Sequence, residues 1–500
     1  MNQIGNSLCR DRIFAVSISY NTKNADKRFD LKRKTQILYI GVAVLLAGLF
    51  NAMLLQKLLL KQEKRGQQNV ESRLPTGDYL PDAENPLIRV VIKTDGFKQV
   101  THSEVRLSAE RGLDIVVKAM SDTKEQGDFT SANIKQQLAP GEILTLTPDH
   151  ELFKHGSIRI TPKFKDGDSQ TETLFDASST QISSDDNARI TINSLTRGYG
   201  TPSYRGIMEL YSTPEGIVIV NELPVEEYLC AVVPSEMPAS YEAEALKCQA
   251  ICARSYAYCQ MLVYGYPEYY AHVDDSVSYQ VYGNSKEQES TTSAVKETSG
   301  KKLWYQNQVV KTYYYSTSCG HSTSVEAWGT KLVDSNKYLK GVPICDEQGN
   351  AYERNLPWYK WEAIIAQETL ENLIELNTGK EIGDLKSIAI TKQGVGGIAL
   401  EVTVVGTLKT ITIDTENKIR AALGGSGYQI TKQDGKVINS SKLLPSAFFT
   451  IEKNGKSYII KGGGYGHGIG MSQNGANEIA KNGKTHEEIL QIFYPGTQVQ

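Results

Sequence analysis

The chain has 500 residues, 54 Lys and Arg against 57 Asp and Glu, and a formal net charge of −3. Such a length allows about two to four domains with ample core, and 40% hydrophobic with 22% charged residues excludes a disordered chain or a polytopic membrane protein. The near-neutral balance speaks against nucleic acid as a partner, which favours a basic excess. Tyr stands out, 27 against 11 Phe and 4 Trp, as for a tyrosine-rich surface or cleft, whereas seven Cys are too sparse for a small disulfide scaffold.

In chain order, a polar tail (1–36) leads into an apolar run at 37–56, whose core ILYIGVAVLLAGLFNAMLL has Asn51 as its one strongly polar residue. About twenty helical residues span a hydrocarbon layer of ~30 Å. The run is long, a tail precedes it and no small-x-small cleavage site follows, so it reads as a retained anchor rather than a signal peptide. Lys23, Lys27, Arg28, Lys32, Arg33 and Lys34 precede it, while Lys57, Lys61, Lys64, Arg65 and Arg73 follow, a slight bias only. The simplest topology keeps the tail in the cytoplasm and the rest outside, as a single-pass protein of the cell membrane. A polar linker (57–87) comes next. Residues 88–223 carry short β runs (IRVVI, LDIVVKA, ILTLT, SIRITPKF, ARITI, GIMELYS, GIVIVNEL) punctuated by Gly, Asp, Asn and Ser.

Residues 224–334 form the expected core. Within it 241–264 has helical spacing of Ala245, Cys248, Cys252, Ser255 and Cys259, with Ser240 as N-cap. An inserted α/β part (335–454) follows, with a helix at 361–378 and strands over 386–413. A glycine-rich motif and a helix at 476–494 (within 455–500) complete the core. The expected fold class is α+β: one N-terminal transmembrane helix, then a large mixed, β-rich exterior domain with a cleft.

Three segments point to chemistry. In VVPSEMP (232–238) a carboxylate sits among apolar residues and prolines. Burial there raises its pKa, as a general acid near neutral pH requires. An ordinary loop glutamate is the plain alternative. In YYYSTSCGHS (313–322) aromatic faces and hydroxyls suit a sugar, or else a buried strand ending in a turn. In GGGYGHGIGMSQ (462–473) the glycines permit close backbone approach. No Gly-Lys-Ser/Thr follows, so a nucleotide cradle does not fit.

Five stretches in this order, LPVEEYLCAVVPSEMP, EALKCQAICARSYA, YYYSTSCGHST, GGGYGHGIGMSQNGA and EILQIFYPGT, resemble the stage II sporulation protein D (SpoIID/LytB) family, from about residue 88 to the C-terminus. The resemblance implies a bacterial cell-envelope protein. Sporulation members are lytic transglycosylases that cut peptidoglycan glycan strands, stripped of stem peptides by an amidase, between N-acetylmuramic acid and N-acetylglucosamine. It places the catalytic acid at Glu236. Some relatives instead enhance a cell-wall amidase, which is a second implied partner.

An ordinary glycosidase needs a second carboxylate; the candidates are Glu242, Glu244, Asp274 and Asp275. Substrate contacts are expected from Arg254, Tyr279, Gln280, Tyr315, Ser316, Ser318, His467, Ser472 and Gln473, with Arg254, Ser255 and Tyr256 also fixing the Glu236 loop. Family members with zinc hold it by a His/Cys cluster matching 272–280. Here His272 remains without a Cys, so no cofactor is expected, and His272, Asp274, Cys319 and His321 are the one set left that zinc would need. Cys248, Cys252 and Cys259 fall within about 40° of one helix face and read as small buried hydrophobes. A Cys319–Cys345 bridge stays open.

Overall fold

The computed structural model describes residues 86–119, 133–148, 157–163 and 173–500. The expected anchor at 37–56, the tail before it and nearly all of the linker lie outside the described residues. Among the described residues no helix is long and apolar enough to cross a membrane.

Strand Gly216–Pro224 is buried on both faces along most of its length, which its near-continuous run GIVIVNEL allows. It pairs antiparallel with Ile207–Thr213 on one side and with Leu87–Ile92 on the other. Leu87–Ile92 in turn takes the short strand Val273–Asp274 in parallel, Val90 facing Val273 and Val91 facing Asp274. The sheet so begun extends through the strands of 101–192. A five-stranded sheet centred on Trp361–Ala366 and a three-stranded one from Leu385–Gln393 to Thr410–Asp414 form the later part.

Helix α1 (Val225–Glu236) follows directly on the central strand, a helix that the sequence pattern did not indicate. Glu226 and Glu227 in its first turn complement the positive helix end. Pro234 forgoes one backbone bond near its end. Pro238 then drives Met237 out of helical geometry, to φ −129° and ψ 136°, so the helix stops at Glu236.

Helix α2 (Ala243–Met261) starts after a turn closed by the Tyr241 amide on the Pro238 carbonyl, so Glu242 and not Ser240 stands at its N-cap. It is buried on nearly every side because it lies between two cores. Ala250, Ala253, Ala257 and Met261 pack toward the first sheet, and Leu246, Cys248, Ile251 and Cys252 toward the later part. All six described cysteines are free thiols, Cys319 and Cys345 included. Helix α3 (Glu289–Glu297) packs on α1 and α2.

Two expected helices are revised. Residues 361–366 form a strand because Trp361, Ala363 and Ile365 alternate inward; helix α4 begins only at Gln367–Thr378. After α5 (Glu416–Leu423), the C-terminal helix divides into α6 (Gln473–Lys481) and α7 (His486–Phe493). Gly483 at φ +81° and a capping box of Thr485 with Glu488 separate them.

Fully buried Arg254 binds α2 to α1. Its Nε and Nη2 both donate to the Glu226 carboxylate at 2.7 Å, and Nη1 donates to the Lys301 carbonyl at 3.0 Å. Replacing Arg254 by Ala leaves Glu226 with the Gly300 amide as its remaining donor and should lower unfolding free energy by about 3 kcal/mol, measured by urea denaturation.

Candidate active site

Glu236 is the last residue of α1 and opens into a cleft of about 340 Å³, lined also by Tyr256, Tyr279, Tyr313, Tyr314, Trp328 and His467. The Val281 amide donates to Glu236 Oε1 at 2.6 Å. Desolvation pushes the carboxyl up to about 7, against that bond and one from the Tyr314 hydroxyl, which both favour the ionised form. Among the described residues no cation enters the balance. The negative end of α1 acts in the same direction as burial. Glu236 keeps partial solvent access, so its proton can be reached.

The cleft wall is aromatic because of how its strands lie. Tyr314–Tyr315 pairs in parallel with Met471–Ser472. The Tyr313 ring meets Trp328 edge-on at 4.7 Å and Tyr256 at 6.1 Å. Trp328 ends a short 3-10 turn stopped by Gly329 at φ +76°, and its indole N–H donates to Glu416 at 2.9 Å. His467 lies 5.0 Å from Trp328, its Nδ1 accepting from the Ile469 amide and its Nε2 meeting the Tyr314 carbonyl at 3.0 Å. That pairing places the proton on Nε2. Burial, with Arg420 adding to it, pushes His467 down to about 3, so the ring is a neutral wall element.

Of the expected site residues, Glu236, Tyr279 and His467 meet in the cleft. Others stand behind its wall. Gln280 is buried, its side-chain amide donating to the Tyr314 hydroxyl at 3.0 Å. Gln473 donates to the Glu236 carbonyl at 3.0 Å and so satisfies a carbonyl at the α1 end. Ser472 caps α6 by accepting from Gly475, and Ser316 accepts from Asn474 through its carbonyl. Tyr315 and Ser318 are buried beside them. Arg254 lines no part of the cleft, since Glu226 holds it.

The alternative carboxylates lie elsewhere. Glu242 is exposed at the start of α2. Glu244 is held at about 2 by Lys247 and His486 in spite of its partial burial. Asp275 is buried on Arg197, and Asp274 bonds Ser276, Tyr266 and Lys93. The zinc set does not assemble. His272 stacks on Tyr264 and accepts from the Arg89 amide, whereas His321 meets the Ser322 carbonyl. Among the described residues no three His, Cys, Asp or Glu side chains are grouped to hold a metal.

Sequence reasoning passed over Trp328 in the cleft wall and Glu353 from the inserted part. Of the two, Glu353 makes more hydrogen bonds. Fully buried, it accepts from the Ser318 amide at 2.9 Å, from the Ser318 hydroxyl and from the Ser472 hydroxyl at 2.7 Å. It thereby joins the hydroxyl-rich and glycine-rich segments. Burial pushes it up to about 7, against those hydrogen bonds.

The chain belongs to the stage II sporulation protein D family. Residues 213–305 match the SpoIID family model, described as stage II sporulation protein, and residues 333–470 match a domain of unknown function. The chain is 32% identical over 322 residues to stage II sporulation protein D of Bacillus subtilis (strain 168), covering 60% of this chain and 82% of that one. With stage II sporulation protein D of Bacillus amyloliquefaciens it shares 30% identity over 56% of this chain and 75% of the other. It is also 29% identical to the amidase enhancer of Bacillus subtilis, over 54% of this chain and 40% of that protein.

Two outcomes follow from the wall. Gly470 has φ +77°, and a Cβ there would stand 2.0 Å from the Tyr313 carbonyl oxygen. Gly470→Ala should therefore lose about 1–3 kcal/mol in a thermal melt. Glu353 holds its proton up to about 7, against an ordinary 4.5. The native state thus binds the extra proton between those values, and stability falls as pH rises through that window. Glu353→Gln should flatten this part of the urea-midpoint profile.

Proposed function

We propose that the protein is a lytic transglycosylase that cuts peptidoglycan glycan strands, in sporulation or wall remodelling, with Glu236 as its acid and base. The observation that carries this reading is the cleft's carboxyl, accessible yet raised to about 7 by desolvation. An unperturbed carboxylic acid is almost wholly ionised at neutral pH; this one is substantially protonated and can act as an acid.

Neutral Glu236 protonates the glycosidic oxygen as the bond from C1 of N-acetylmuramic acid breaks. Its carboxylate then removes the proton of the muramoyl C6 hydroxyl, whose oxygen closes on C1. A 1,6-anhydro end forms, no water is consumed, and Glu236 finishes protonated. Val281 and Tyr314 hold the carboxylate between the two proton transfers. Ring closure within one sugar draws on a high effective molarity. Hydrolysis would call for a second carboxyl within about 5–10 Å; among the described residues the cleft lining has Glu236 alone. The rings of Tyr313, Trp328 and Tyr279 suit the apolar faces of sugars. The anchor at 37–56 would hold this body on the outer side of the cell membrane.

A second reading is a glycan-binding partner that enhances a cell-wall amidase, favoured by the likeness to a relative of that name. Full-length protein incubated with peptide-stripped strands separates the two. Anhydromuramoyl ends, seen by mass, are expected. Strand binding without them would overturn the enzyme reading in favour of the second. Glu236→Gln should cut the rate about 10²–10⁴-fold while retaining strand binding. The rate should fall as pH rises through about 7, where the acid loses its proton.

A further inference from the structure

Lys311 adjoins the cleft but has no part in the chemistry above. It follows strand Gln308–Val309 and precedes Tyr313 by two residues, with burial alternating along Lys311, Thr312 and Tyr313. Thr312 turns inward, its hydroxyl donating to the Cys252 carbonyl at 2.7 Å. Lys311 and Tyr313 therefore share the other side, where Tyr256 packs between them. The Lys311 ammonium lies 5.3 Å from the centre of the Tyr256 ring, and Tyr256 and Tyr313 both line the cleft.

The charge of Lys311 is unmatched. It is half-buried, has no ion pair with a carboxylate among the described residues, and has the Cys259 thiol as its ionisable neighbour. Three other cations around α1 and α2 are paired: Arg254 with Glu226, Arg205 with Glu287, and Lys247 with Glu244 and Glu297. Burial holds the Lys311 amine below its ordinary value. A half-desolvated ammonium without an anion is destabilising, and a ligand that brings the anion relieves it.

The glycan of the proposed reaction carries such an anion. A muramoyl residue freed of its stem peptide ends in a lactyl carboxylate, whereas with the peptide attached that group is a neutral amide. We propose that Lys311, on the face of Tyr256, forms an anion subsite at the cleft margin that takes a carboxylate of the glycan strand and selects strands whose carboxylates are free. This rests on the glycan-cleaving reading and deepens it.

The test uses full-length Glu236→Gln protein, so that strands stay intact, and titration calorimetry with two probes. These are peptide-stripped glycan strands with free carboxylates and the same strands methyl-esterified. Free strands should bind about tenfold more tightly, the scale of one charge-assisted contact. Adding Lys311→Met should remove the difference by weakening only the free-acid strands, and Lys311→Arg should keep it. Equal affinity for both probes, or a preference that survives Lys311→Met, overturns the subsite. Failure to bind either probe overturns the subsite and glycan recognition together. Charge-dependent binding without anhydro ends from the protein bearing Glu236 sinks transglycosylation alone.

Discussion

A carboxyl held partly out of water at the end of a helix, with no cation beside it among the described residues, is the constraint around which the site is arranged. Glu236 meets the negative end of α1, and each partner it has is neutral: an amide from Val281 and a hydroxyl from Tyr314. Pairing with a guanidinium would settle the charge and remove the acid. The guanidinium that α2 supplies, Arg254, is taken by Glu226 at the opposite end of α1. That salt bridge binds the helices at the end of α1 away from Glu236.

The inserted part supports the cleft wall from behind, Glu416 by holding Trp328 and Glu353 by joining two segments. Glu353 gathers Ser318 and Ser472, and those two segments carry Tyr313, Tyr314 and His467 to the face opposite Glu236. A neutral carboxyl suits this place, because burying a charge with serines alone as partners is unfavourable. Both acids rise to about 7 for the same reason, desolvation. The wall and the acid thus change protonation over the same pH range.

The sequence made parts of this legible and hid others for definite physical reasons. Local patterns marked Glu236 and His467, since prolines and glycines announce fixed backbone around them, whereas Tyr279 was expected only alongside the family resemblance. They did not mark Trp328, whose surroundings have no periodicity, or Glu353, whose partners lie 35 and 119 residues away. Helix α1 was masked by Pro234 and Pro238, although a proline in the last turn and another just beyond it are compatible with a helix end. The strand at Trp361–Ala366 was concealed by residues that also suit a helix, and pairing with Ser457–Gly462 decided the matter.

The glycine-rich motif changes meaning most. Its composition pointed to a backbone that approaches a ligand. In the structure its glycines approach the protein itself: a Cβ on Gly466 would meet Tyr315, one on Gly468 Phe448, and one on Gly470 the Tyr313 carbonyl. Absent side chains let the loop lie against the tyrosine strand, and only His467 turns from it toward the cleft. The motif is therefore a packing device that brings two strands close enough to pair as Tyr314–Met471 and Tyr315–Ser472. Rigid aromatic placement opposite an acid follows from that closeness, and sugar recognition would be its consequence rather than its direct work.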